Sequence, residues 1–124
     1  MMNALAIFVG GGLGSLARWG LSRWFNSSFS GFFLGTFLAN FLACIVLGFF
    51  AGLLLGKTTL SDPAKLGVMV GFCGGFSTFS TFSNETFGLF ESGKPGWALL
   101  YIGVSVVLCL FGIWLGMLMG KGLG

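Results

Sequence analysis

Apolar residues fall into four long blocks, each broken by very few polar side chains. Ala4 to Leu21 carries a single charge, Arg18. Phe32 to Gly56 carries none, and its strongly polar side chains are Thr36 and Asn40. Leu66 to Asn84 is uncharged but ends in a dense polar run, and Trp97 to Gly120 is charge-free between Lys94 and Lys121. A bilayer core of about 30 Å needs roughly 20 apolar residues in a helix. Barrel strands would be shorter and would alternate apolar with polar, which these blocks do not. The pattern predicts an all-α integral membrane protein with four transmembrane helices over about 4–24, 32–56, 64–90 and 96–120, forming one domain over 1–124. Ser61-Asp62-Pro63 has the form of a helix start, with Ser61 or Asp62 as the cap and proline in the first turn. The first block lacks a basic start and a clear cleavage site, so it is expected to be a span, not a signal peptide. Trp19, Trp24 and Trp97 sit near span ends, where interfacial aromatics belong.

Composition narrows the chemistry. Charged residues make up 7% of the 124 residues and hydrophobic ones 56%, against about 25% charged in ordinary globular domains. Nine charges cannot supply the surface of a soluble domain, which excludes a soluble enzyme. His is absent and Asp plus Glu total three, so imidazole–carboxylate catalysis and most metal cages are excluded, and no enzymatic activity is expected. The net charge of +3 is not clustered, which argues against a nucleic-acid partner. The three cysteines, Cys44, Cys73 and Cys109, lie inside apolar blocks without CxxC spacing and are expected to be unpaired core residues. Four spans place Lys57, Lys65 and Lys121 on one side and Arg18, Arg23 and Lys94 on the other. The positive-inside rule therefore selects no orientation. Either one subtle difference still decides the orientation or, in the sharper reading, the topology is dual, with copies inserted both ways and pairing antiparallel.

Glycines recur at steps of four: Gly10 and Gly14; Gly48, Gly52 and Gly56; Gly67, Gly71 and Gly75; Gly112, Gly116 and Gly120. Such rows predict close helix packing and carry no information about a substrate. The third block is more specific. Its Gly74-Gly75 pair weakens a helix in mid-span, and of the ten residues from Ser77 to Thr86 only Phe79 and Phe82 are apolar. Broken helices at membrane depth occur where freed backbone groups line a cavity or bind an ion. Phe72, Phe76, Phe79 and Phe82 share one face if the helix is continuous. Thr36 and Asn40 share a face of the second helix, and Tyr101 and Ser105 share one of the fourth. Donors on three helices, with phenyl edges beside them and only Glu85 as an intramembrane acid, suit a small anion better than a cation. Arg18 is accounted for equally by snorkelling and by an anion-attracting vestibule.

The Gly10-Gly11-Gly12-Leu13-Gly14-Ser15-Leu16-Ala17-Arg18 opening, Gly35-Thr36 with Asn40, and the run Gly71-Phe72-Cys73-Gly74-Gly75-Phe76-Ser77-Thr78-Phe79-Ser80-Thr81-Phe82 resemble the Fluc (CrcB) family of microbial fluoride channels over essentially the whole chain. Phe76-Ser77 stands where relatives often have Leu-Thr. The resemblance implies an antiparallel, dual-topology homodimer in the bacterial inner membrane that exports fluoride passively through two pores. It also implies a structural Na+ held by the backbone carbonyls of Gly74 and Ser77. Asn40, Phe79 and Phe82 are then pore-lining residues, with Ser80, Thr81, Tyr101, Ser105 and Thr36 candidates for a polar track and Arg18 at the vestibule. The competing reading is a small proton-coupled exporter of cationic drugs. It needs an embedded carboxylate, typically in the first helix, and no acid occurs before Asp62. A non-transporting membrane anchor would not need polar residues at matching depths on three helices.

Overall fold

A computed structural model describes residues 1–28, 33–56 and 59–124. Lys57 and Phe32 lie outside the described residues. Helices α1 (Met2–Ser28) and α2 (Leu34–Leu55) are the first two spans. The third is composite: α3 (Asp62–Lys65), a π-helical segment π1 (Leu66–Phe72), α4 (Cys73–Phe76) and α5 (Phe79–Glu91). The last is α6 (Pro95–Leu123). Four helical stretches are long and apolar enough to cross a membrane, in agreement with the four blocks. Ser61 occupies the cap position of α3 and proline its first turn, although the serine side chain makes no capping bond.

Shape complementarity between glycine rows sets the arrangement. A Cβ on Gly10 would strike the Gly67 carbonyl, and one on Gly14 would meet the Phe72 carbonyl and lie 2.7 Å from the Phe76 nitrogen. From the other side, Gly71 and Gly75 lie against Ile7 and Gly11. Residue numbers rise together, so α1 runs parallel to π1 and α4. Gly48, Gly52, Gly116 and Gly120 do the same for α2 and α6, meeting Ile113, Met117, Ile45 and Phe49 respectively. The protomer is thus two parallel helix pairs, α1 with the third span and α2 with α6, running in opposite directions. Backbone-to-backbone approach of this kind is how helices associate in lipid, where no hydrophobic force separates helix from solvent. The pairs meet at a core of Ala39, Ala43 and Phe76, with Leu21 and Phe72 against it.

Two expectations change. The third span does not break at Gly74-Gly75: both residues lie within α4, and the extended residues are Ser77 (φ −80°, ψ 158°) and Thr78 (φ −153°, ψ 118°). Glycine lowers helix propensity, but here its use is contact, since Gly75 lies against Gly11. What opens the chain is a side chain of α2, described below. The break also splits the phenylalanine stripe into two pairs. Phe72 and Phe76 stack at 5.4 Å inside the bundle, and Phe79 and Phe82 pair at 6.0 Å beyond it.

These contacts predict opposite outcomes for one substitution at two glycines. Alanine is intrinsically about 1 kcal/mol better than glycine in a helix. Gly116→Ala drives its new methyl into the Ile45 carbonyl and within 2.8 Å of the Phe49 nitrogen, a clash costing about 1–3 kcal/mol or more. Gly103→Ala meets nothing within 4 Å. Thermal unfolding in detergent should show Gly116→Ala lowered and Gly103→Ala unchanged or raised. Equal midpoints would contradict the packing described.

Candidate functional site

Asn40, nearly two turns into α2, reaches the break. Its Nδ2 donates to the Thr78 carbonyl at 3.2 Å, and its Oδ1 accepts from the Thr78 N–H at 2.7 Å. A continuous helix would give Thr78 N–H to the Gly74 carbonyl, so the amide replaces a helical bond with two of its own. Buried backbone groups require such partners. Thr78 then caps α5: its Oγ1 accepts from the Thr81 N–H at 3.2 Å and donates to Thr81 Oγ1 at 3.1 Å. Ser80 Oγ lies 3.3 Å from the same oxygen. Because the Thr78 proton goes to Thr81, Ser80 supplies the proton of that pair.

The carbonyls before the break divide into two groups. Ser77 N–H and Oγ both donate to Cys73 O, at 2.9 and 2.8 Å, and Arg18 Nε donates to Gly75 O at 3.1 Å. Among the described residues, no backbone N–H reaches the carbonyls of Gly74 or Ser77. Arg18 is therefore anchored on the broken helix and does not simply snorkel.

Glu85 organises the far end. Its Oε1 accepts from Thr36 Oγ1 at 2.7 Å and its Oε2 from Tyr101 OH at 2.9 Å. The Phe82 ring lies 5.0 Å from the Tyr101 ring. Sequence reasoning placed Thr36 and Tyr101 as donors but missed their acceptor. The signal was present, because Glu85 is the one acid inside a span. Thr78 was missed as well, since nothing in its own spacing announces a contact with Asn40.

Between these ends, Asn40, Ser77, Thr78, Phe79, Phe82 and Ser105 line an open groove of about 260 Å³, with Cys44 and Cys109 along its wall. Ser105 Oγ is buried and has no hydrogen-bond partner among the described residues. Phe79 is 80% exposed, so one wall of the groove is open in the single chain. The structure thus brings Asn40, Ser105, Phe79 and Phe82 together. Ser80 and Thr81 sit on the Thr78 cap, and Arg18 sits behind the break.

Residues 5–117 match the family described as CrcB-like protein, Camphor Resistance (CrcB). The chain belongs to the CrcB family. A "Fluoride-specific ion channel FluC" of Proteus mirabilis is 40% identical to it over 120 residues, covering 93% of this chain and 97% of the relative. Relatives of the same name from Escherichia coli O17:K52:H18 and Shigella boydii serotype 18 are each 42% identical over 103 residues, covering 83% of this chain and 81% of theirs. With four spans and bacterial relatives along nearly its full length, this CrcB-family chain is a multi-pass protein of the bacterial cell membrane.

The Asn40 clamp has a measurable consequence. Asn40→Ala leaves both backbone polar groups of the half-buried Thr78 without their Asn40 partner, at up to about 1–3 kcal/mol each. Thermal unfolding should fall accordingly, and backbone amides of Thr78–Thr81 should exchange faster with deuterium. Unchanged exchange there would show that the break does not depend on Asn40.

Proposed function

We propose that this protein is a fluoride-selective channel that lets fluoride leave the cytoplasm passively, and that it is not an enzyme. The observation that carries the reading is the Ser105 hydroxyl, buried and unpartnered among the described residues, in a groove that the Asn40 amide and the rings of Phe79 and Phe82 also line. Asn40 spends one amide hydrogen on Thr78 and keeps another. A bare ion in hydrocarbon costs tens of kcal/mol, and neutral N–H and O–H donors with phenyl edges offset that for an anion. The names of the relatives agree. Nothing favours a cationic-drug exporter: the one intramembrane carboxylate, Glu85, is engaged by two hydroxyls.

The functional unit of this proposal is an antiparallel homodimer of dual topology. Support comes from the balanced distribution of positive charge along the sequence, from the open side of the groove and from the outward Phe79. A second copy would close that wall. A structural Na+ belongs to the same proposal. The free carbonyls of Gly74 and Ser77 are neutral hard oxygens, which suit a monovalent cation and poorly compensate a divalent one. Gly74 has open space where a Cβ would stand, so that face is free to meet a partner. When bound, the ion would supply charge to satisfy those carbonyls.

Purified protein in liposomes should release fluoride and retain chloride. Ser105→Ala removes a donor from a desolvated ion, at about 1.5–3 kcal/mol or roughly ten- to a hundredfold in an equilibrium step. Asn40→Asp should abolish fluoride flux, and Phe79→Ile or Phe82→Ile should reduce it severely. Near-normal flux in all four variants would remove the groove from the pathway. Thorough Na+ depletion should lower dimer stability and flux together; a dimer indifferent to Na+ would refute the cation site.

A further inference from the structure

The α2–α6 pair is a ladder in steps of four residues. Thr36 and Tyr101 meet at Glu85, Asn40 and Ser105 share the groove, and further along Gly48 faces Ile113 and Gly52 faces Met117. The rung between these is Cys44 with Cys109. Both are free thiols, both line the groove, and they fall on the same register that sets Gly48 on Ile113 and Gly52 on Met117. We propose that Cys44 and Cys109 form a two-thiol site for a soft divalent cation that binds two ligands in line, Hg2+ being the type.

Three considerations select that ligand class. Thiolates prefer soft metals. Among the described residues, no set of three or more His, Cys, Asp or Glu side chains converges, so Zn2+, which takes four ligands, is not served. A charge at membrane depth is costly, and two thiolates cancel a divalent cation. The balance is two thiols and one Hg2+ giving a neutral S–Hg–S bridge and two protons released to solvent. No electrons are transferred. The rung lies one turn from Asn40 and Ser105, so a bridge there ties α2 to α6 and narrows the groove. Only that effect on flux rests on the proposed anion pathway; the site itself does not.

The test uses full-length Cys73→Ala protein, which retains only this pair of the three cysteines. After exposure to mercuric nitrate without chloride, intact mass spectrometry should show one mercury replacing two hydrogens per chain. Removal should need about a hundredfold more competing monothiol than from the Cys73→Ala/Cys109→Ala variant, because two-point attachment adds at least that much. Fluoride efflux, relative to each variant's own untreated rate, should fall in Cys73→Ala and persist in the cysteine-free protein. Two mercury atoms per chain, or none, would overturn the inference, as would equal inhibition of the cysteine-free protein. A bridged adduct in protein that never carries fluoride would uphold the site and count against the anion pathway.

Discussion

Backbone polar groups inside a membrane have no water to fall back on, so every departure from helix must be answered by another part of the protein. Here the departure is two residues long, and for Thr78 the answer is one side chain. Asn40 supplies Thr78 with both a donor and an acceptor, which turns an interruption into a defined joint. The direction in which α5 leaves that joint determines where Phe79, Phe82 and Glu85 lie. The groove, the Thr78–Thr81 cap and the Glu85 cluster all follow from that contact. The π-helical turns of π1 add to it: the Cys73 N–H bonds to the Val68 carbonyl, a wider winding that sits one turn before the joint and often accompanies functional sites.

The second constraint is closeness. Rows of glycine bring α2 and α6 into backbone contact, and packing along rows of four keeps equivalent positions in step. A column of facing pairs results, polar at Thr36/Tyr101 and Asn40/Ser105, sulfur at Cys44/Cys109, and purely steric at Gly48/Ile113. The glycines that say nothing about substrate thus decide which polar residues stand opposite each other. Widening the helix pair by one methyl would separate Asn40 from Ser105 as surely as mutating either.

Much of this was legible in the sequence because lipid imposes length and composition. Four apolar blocks, three of them charge-free, read as spans, and glycines at steps of four read as contact rows. Asn40 and Ser105 stood out as polar side chains at membrane depth, whereas Phe79 and Phe82, which lipid accepts readily, were marked out mainly by the family resemblance. The break was placed three residues early, because glycine marks where a helix is weak and not where another side chain competes for its hydrogen bonds. That competitor sits on a different helix, and no spacing rule within the third block contains it. The Glu85 cluster was hidden for the same reason. Its two donors were each read as half of a local pair, Thr36 with Asn40 and Tyr101 with Ser105, whereas the hydrogen bonds run across helices.

The carboxylate raises a physical question for an anion pathway, and its surroundings answer it. Thr36 and Tyr101 each give their proton to one oxygen of Glu85, so these hydroxyls are not free donors while the carboxylate is in place. The donors left along the groove are the second Asn40 amide hydrogen and the Ser105 hydroxyl. Charge-assisted bonds contribute about 1.5–3 kcal/mol each, so two of them offset only several kcal/mol against a desolvation cost of tens. One protomer's wall therefore cannot carry a fully stripped anion. Further donors must come from retained water or from a second wall across the open side where Phe79 is exposed. The proposed pairing would relieve that shortage, which is also what gives the Asn40 amide and the Ser105 hydroxyl their weight in the proposed pathway.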